Sequence, residues 1–301
     1  MGFYPGAYNL GMRWRSAASL LIAIGLSVGL TAAPTLTVTQ LSRAVKPGEL
    51  VVLTIVSTAS LSSLELKAFD RAQSAQPQRA TNGRTWTALV GIDLDTPAGR
   101  YPVTIRATGQ GGDATMTHTL VVTEKTFATR ELDVDPDFVN PPASLAVRIA
   151  RETAAVTAAF AGTAGPNPAR LFFSRPVPQR SNSAFGTRSV FNGQPRNAHS
   201  GADFLSPSGT PIKSPGSGKV VLADNLFFSG GTVIVDHGMG VVSLFAHMSR
   251  IDVKPGDDVV QGRVVGLVGA TGRVTGAHLH WAVRVNGARV DPLSLLALLQ
   301  R

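Results

Sequence analysis

Gly276-Ala-His-Leu-His-Trp-Ala-Val-Arg-Val-Asn-Gly-Ala-Arg-Val290 is the stretch on which the reading of this chain turns. Asn286-Gly287 separates Val283–Val285 from Ala288–Val290, and it is the strongest hairpin signal in the sequence. Both turn residues tolerate positive φ, so the flanking runs are expected to pair as antiparallel strands. The first strand runs back through His280. Alternate residues of a strand share a face, so His278 and His280 present two imidazoles side by side.

Other short runs with strand character lie upstream at Lys213–Ala223, Gly231–Asp236, Val241–Ala246 and Val259–Val268. In this part of the chain helix is expected only near Pro292–Leu299. From Pro34 to about Val122 the pattern is similar. Leu50–Val56, Thr85–Val90, Tyr101–Ala107 and Thr115–Val122 are separated by turn signals such as Lys46-Pro47-Gly48 and Thr81-Asn82-Gly83. That spacing predicts a small antiparallel β-sandwich. Asp133 to Pro142 is acidic and Pro-rich. Leu145, Ile149, Val156 and Phe160 then recur at helical spacing, and the helix is expected to pack between the two domains. The fold class is therefore all-β with minor α: an N-terminal β-sandwich and a C-terminal antiparallel sheet, joined by a helical, Pro-rich linker.

The composition narrows the chemistry. The chain has 301 residues, 44% of them hydrophobic, with 31 Gly, 19 Pro and no Cys. Length suggests about two domains. Zero cysteine excludes a disulfide framework, a thiol nucleophile and any Cys-ligated zinc or iron–sulfur site. The formal charge is +9, of which residues 181–301 supply +4 from 11 Lys/Arg and 7 Asp/Glu. The basic residues are scattered and lack aromatic interleaving, which argues against a nucleic-acid partner. Ala17–Ala33 is apolar or small throughout and follows Arg13 and Arg15. This is the pattern of a secretory signal, or of a retained N-terminal anchor that would hold the chain at a membrane. Met12 makes a more usual start for such a segment than Met1. The remainder is expected in the periplasm, the cell envelope or outside the cell.

Five of the six histidines lie between residues 199 and 280. His199 and Asp203 can converge on one ion if their segment is irregular or bulged. Two imidazoles and a carboxylate suit Zn²⁺ and leave a fourth position open, although scattered histidines are as often structural. His118, alone on an alternating strand, is read as structural. Gly266-x-x-Gly269-x-x-Gly272 is neither a dinucleotide fingerprint nor a P-loop, and is read as tight turns lining a cleft.

Several motifs occur in unbroken order over about residues 183–295: His199-Ser-Gly-Ala-Asp203-Phe204, Val235-Asp-His-Gly-Met-Gly240, Phe245-Ala-His-Met-Ser249, Gly269-Ala-Thr-Gly272 and Gly276-Ala-His-Leu-His-Trp281. Together they resemble the lysostaphin- and LytM-type zinc endopeptidases, peptidase family M23. Asp95-Thr-Pro-Ala-Gly-Arg-Tyr101, with Val103 and Ile105, resembles the strand pairs of bacterial immunoglobulin-like modules. These likenesses divide the chain into a signal or anchor (1–33), an Ig-like sandwich (34–128), a linker with one helix (129–180) and a peptidase domain (181–301).

The M23 resemblance implies one Zn²⁺ per chain, held by His199, Asp203 and His280, with His247 and His278 as catalytic histidines. It implies hydrolysis of peptide bonds in peptidoglycan cross-links or stems by a zinc-activated water, and so a peptidoglycan-peptide partner; a monomer is the expected state. Imidazole titrates near neutral pH, which suits His278 as general base and His247 as oxyanion or proton donor. Phe245 stands where many members carry Tyr, and is expected to pack under His247. His237 is not a ligand in the family pattern and is expected to support the site or the structure. The alternative function is that of a non-hydrolytic activator of other wall hydrolases.

Overall fold

A computed structural model describes residues 1–3, 32–161, 171–182 and 184–300. The apolar stretch expected to direct export lies outside the described residues, apart from Ala32 and Ala33. Among the described residues no helix is long and apolar enough to cross a membrane.

The alternating runs of the first part become eight strands. They are β1 (Leu36–Ser42), β2 (Leu50–Ser57), β3 (Leu61–Ala68), β4 (Arg71–Gln73), β5 (Ala75–Pro77), β6 (Thr85–Gly91), β7 (Gly99–Gly109) and β8 (Gly112–Val122). They form two four-stranded sheets, ordered β1-β2-β6-β5 and β4-β3-β7-β8. Period-2 alternation drives the layering. Val51, Leu53 and Ile55 point from one sheet, Leu66, Val103 and Ile105 from the other, and all share one core. His118 Nε2 meets Gln40 Oε1 at 3.0 Å and belongs to no cluster.

The connector is more structured than its Pro-rich sequence suggested. β9 (Thr129–Leu132) pairs in parallel with β10 (Arg188–Phe191). A short α1 (Pro136–Val139) starts at Asp135, whose carboxylate accepts from Asp137 N, and α2 spans Ala146–Phe160. The helix does not pack between the two domains as expected. Its stripe of Val156, Ala159 and Phe160 covers Leu222, Ile234, Leu244 and Ala282 on one face of the C-terminal sheet. That sheet face is apolar and needs a cover, and the connector is long enough to supply it. Glu152 pins the helix there by accepting from Phe227 N at 2.7 Å, while Arg148 Nε donates to the same carboxylate at 2.6 Å.

β11 (Gln194–Pro195) pairs with β10, and the C-terminal sheet is formed by β12 (Gly201–Phe204), β13 (Pro211–Lys213), β14 (Gly218–Leu226), β15 (Gly230–Asp236), β16 (Val241–Ile251), β17 (Asp258–Val259), β18 (Val264–Val268), β19 (Leu279–Val285) and β20 (Ala288–Val290), followed by α3 (Pro292–Leu299). Its spine runs β12-β19-β16-β15-β14-β17. The face opposite α2 buries Phe204, Phe245 and Trp281 completely.

Residues 32–301 form one compact unit. Leu50 and Leu89, on the outer face of the sandwich, belong to the C-terminal core. Leu50 N donates to Ser294 Oγ at 3.0 Å. The hairpin turn residue Asn286 donates to Leu89 O at 2.8 Å and accepts from Ser74 Oγ at 2.8 Å. Arg289 holds both Asp93 and Asp95, and Arg43 bridges Glu49 and Asp291 at 2.8 and 2.7 Å.

Burial alone would raise the Asp93 carboxyl, but the Arg289 guanidinium and two backbone amides outweigh it and hold it at about 2. A carboxyl depressed on folding stabilises above its unfolded value near ~3.9 and loses that contribution as pH falls through the folded value. Asp93→Asn is therefore expected to cost roughly 2 kcal/mol at pH 7. Urea unfolding at pH 7 and at pH 2 checks this: the gap between the two proteins should close as pH falls through about 2.

Candidate metal centre

His280 lies in the middle of the sheet, opposite Asp203 of β12 on one side and Ala246 of β16 on the other. Paired residues share a face, so the register alone brings Asp203 to His280. His278, two residues back, lines the same groove. His199 joins from the irregular segment before β12, anchored by His199 N to Thr187 O at 2.9 Å. The expected convergence of His199, Asp203 and His280 is thus present, through an extended loop leading into a strand.

Three ligand atoms meet in a near-equilateral triangle. His199 Nε2 is 3.0 Å from Asp203 Oδ1 and 3.0 Å from His280 Nδ1, and His280 Nδ1 is 2.9 Å from Asp203 Oδ1. Protons cannot satisfy all three contacts. His199 Nδ1 faces the Ala184 carbonyl at 3.1 Å, which only accepts, so in the neutral ring Nε2 carries a lone pair. His280 Nδ1 offers one proton to two acceptors, and a lone-pair contact is left over. A cation resolves that conflict. Donors of this type around a tetrahedral ion stand roughly 3.3–3.5 Å apart, close to the triangle observed. The N₂O set, with His199 backed by the Ala184 carbonyl, fits a divalent metal.

The electrostatics agree. Burial alone would raise the Asp203 carboxyl, but the His199 and His280 imidazoles against it hold it far below the usual carboxylate range. Burial, more than the Asp203 contact compensates, pushes the His280 imidazole down. Gly201 stands against this ring: a Cβ there would lie 2.7 Å from His280 Nε2 and 2.6 Å from Trp281 O. Any larger residue at position 201 displaces a ligand.

His247 reaches the groove by an irregularity. Strict alternation would place it on the Phe245 side, in the core. Instead, Gly231 pairs with Met248 and Val233 with Phe245, so β16 carries one extra residue there. His247 has φ +66°, a left-handed conformation rare for a residue with a Cβ. The bulge turns its ring onto the groove face, 5.0 Å from the His278 ring and 5.9 Å from His280 between centroids. Phe245 stays fully buried on the core side. His247 Nδ1 donates to Thr271 O at 2.9 Å and His278 Nδ1 to Gly276 O at 2.9 Å, so both rings offer Nε2 to the groove. Burial first, and the neighbouring His280 second, push His247 down to about 3, so its free ring is neutral.

The loop carrying Thr271 is locked by close approach. Gly272 has φ +74°, and a Cβ there would fall 2.4 Å from Gly230 N and 2.6 Å from Phe228 O. The glycines read as tight turns lining a cleft serve that purpose. Thr271 Oγ1 also donates to Met248 O at 2.8 Å, clamping the bulge from the other side.

His237 lies away from the groove. It is fully buried, and burial pushes it down to about 4. Its Nδ1 donates to Ser217 O at 2.9 Å, and its Nε2 accepts from Ser243 Oγ at 2.9 Å. Trp281 Nε1 in turn donates to Ser243 Oγ at 3.1 Å. This network braces β19 from behind, which is the structural role expected of it.

The groove has a volume of about 500 Å³. Its walls include Val156 and Phe160 of α2 and residues that the sequence reading did not single out: Phe191, Phe228 and Arg273. They are far apart in sequence and carry no recognisable spacing. The repeated glycines around Arg273 were the one available signal.

A left-handed residue favours glycine. His247→Gly is therefore expected to be more stable than His247→Ala by about 1 kcal/mol, the reverse of the usual order within a strand. Chemical denaturation of the two variants checks this, and equal or inverted stabilities would remove the bulge argument.

Comparison with known proteins places these residues in a family. Residues 197–292 match the family model described as Peptidase family M23. Peptidoglycan DD-endopeptidase ShyA of Vibrio cholerae is 42% identical over 95 residues, which are 32% of this chain and 22% of ShyA. DD-carboxypeptidase/endopeptidase Mpg of Neisseria meningitidis is 39% identical over 97 residues, again 32% of this chain and 22% of that protein. The chain thus spans about a fifth of the length of these curated relatives. An M23 chain of known structure from Pseudomonas aeruginosa is similar over far more: 35% identity, TM-score 0.64, 84% of this chain and 95% of that one. With a likeness of that extent around this His–Asp–His triangle, the chain belongs to peptidase family M23.

Proposed function

We propose that the chain is an exported zinc metalloendopeptidase that hydrolyses peptide bonds in peptidoglycan cross-links or stems. The observation that carries this reading is the triangle of His199 Nε2, Asp203 Oδ1 and His280 Nδ1, with contacts of 2.9–3.0 Å and two further imidazoles beside it. The relatives named as peptidoglycan endopeptidases support the substrate class, and that class lies outside the cytoplasm.

In this reading His199, Asp203 and His280 hold one zinc, which when bound supplies Lewis-acid polarisation of a carbonyl and acidifies water. The remaining work falls to His278 and His247. Their Nδ1–H groups are spent on backbone carbonyls, so each ring meets the substrate through Nε2, as acceptor when neutral and donor when protonated. His278 Nε2 stands 3.7 Å from Asp203 Oδ1, beside the ligand triangle, and takes the water proton as general base. His247 stabilises the oxyanion once its Nε2 has taken a proton from solvent, because its Nδ1–H is spent on Thr271 O. Its burial disfavours the charged ring until a negative charge develops in the groove, which raises its proton affinity when a donor is needed. The five positions are all present, so no observation favours the non-hydrolytic activator.

His199→Ala is expected to lose zinc and activity together. His247→Ala is expected to retain one zinc per chain and to lose turnover by about 10²–10⁴-fold. Metal analysis with turbidity clearing of purified sacculi tests both, with chelation and zinc restoration as the control. Clearing that survives complete metal removal would refute the reading.

A further inference from the structure

The groove is lined by four arginines, Arg130, Arg196, Arg273 and Arg284, and by one acid, Asp203. Asp203 is engaged by its three histidines. Among the described residues none of the four arginines forms an ion pair. Several arginines outside the groove, Arg43, Arg148, Arg250, Arg263 and Arg289, do pair with acids. The contrast is costly. Burial first, then Arg196, weakens the hold of Arg273 on its proton, and Arg284 is pushed down to about 10 by burial and then by Arg289. Partly desolvated cations without counter-charges mark a place where an anion is expected.

Arg273 is the best placed of the four. Its guanidinium lies over the rings of Phe191 and Phe228, 4.9 Å from each centroid. The stack is backed by Phe227 against Phe228 at 4.9 Å and by Phe138 against Phe227 at 5.2 Å. Aromatic contact occupies the flat faces of a guanidinium and leaves its in-plane N–H groups available. Among the described residues those groups have no hydrogen-bond partner. Nearby, Arg196 donates through Nη2 to Val139 O and Gln194 Oε1, while its buried Nε has no partner. The backbone ties Arg273 to the catalytic face: Arg273 N donates to Phe228 O at 2.8 Å, and His247 N to the adjacent Ser229 O at 2.8 Å. Arg273 also follows by two residues the Thr271 carbonyl that orients His247.

We propose that Arg273, with Arg196 behind it, is a specificity-determining residue that takes a free carboxylate of the substrate peptide in a paired, in-plane hydrogen bond beside the scissile bond. The guanidinium fork matches a carboxylate and does not match the carboxamide that replaces it when the peptide is amidated. This deepens the peptidase reading and rests on it for the identity of the peptide. It predicts a substrate whose carboxylates are free, and resistance of walls in which they are amidated.

The test uses the full zinc-loaded protein and two cross-linked muropeptides that differ only in free carboxylates against carboxamides. Both kcat/KM and equilibrium binding are measured, binding on His247→Ala to slow turnover. The wild type is expected to prefer the free acid by about 10- to 100-fold, and Arg273→Gln to bring that ratio near 1. Arg250→Gln, which removes an exposed charge outside the groove, is expected to keep the ratio. If Arg273→Gln fails to fold by circular dichroism, Arg273→Lys decides: it keeps the charge without the fork and is expected to lose most of the preference. Absence of any preference in the wild type, no detectable binding of either peptide, or a preference that survives substitution of Arg273 overturns the proposal. An Arg273-dependent preference in binding with neither peptide cleaved would uphold the recognition site and sink the peptidase reading instead.

Discussion

The register of one strand governs the site. β19 is paired on both edges, placing His280 opposite Asp203 and opposite Ala246 at once. A slip of one residue would send His278 and His280 into the core and Trp281 into the groove. The register is therefore defended from both faces. Trp281 is fully buried and hydrogen-bonded to Ser243, and His237 closes the same network from behind. At the far end, the Asn286 turn is fastened to the sandwich. The burial of an apolar face and the placement of a ligand are one constraint here.

The groove face departs from regular sheet geometry at His247. His247 occupies a bulge with a left-handed backbone, held by Thr271 through both its carbonyl and its hydroxyl. Residues in such conformations persist when the surroundings over-determine them, and they concentrate at functional sites. The close approaches of Gly201 to His280 and of Gly272 to Gly230 follow the same logic. Space beside the ligands is filled by backbone, which cannot adjust its rotamer.

Much of this was legible in the sequence, and the rest was not for identifiable reasons. The Asn286-Gly287 hairpin and the shared face of His278 and His280 follow from period-2 geometry alone. The His199–Asp203 pair required an irregular segment, and its convergence with His280 depends on a pairing across the sheet that no local pattern encodes. Parity would have put His247 on the wrong face, since nothing near Phe245-Ala-His announces a bulge. The position of α2 is not legible, because an amphipathic stripe states that it needs a cover and not which surface provides it. Arg273 with Phe191 and Phe228 is a tertiary cluster, visible only once three distant segments meet.

The docking of the sandwich has a consequence for biosynthesis. Its own core is complete when β8 has been made, but Leu50 and Leu89 on its outer face are covered only by residues of the C-terminal core. The amide of Leu50 likewise waits for the Ser294 hydroxyl. Wherever folding takes place, this apolar face stays uncovered until the groove domain has formed. A folding chain thus exposes an apolar surface while the sandwich stands alone and conceals it last.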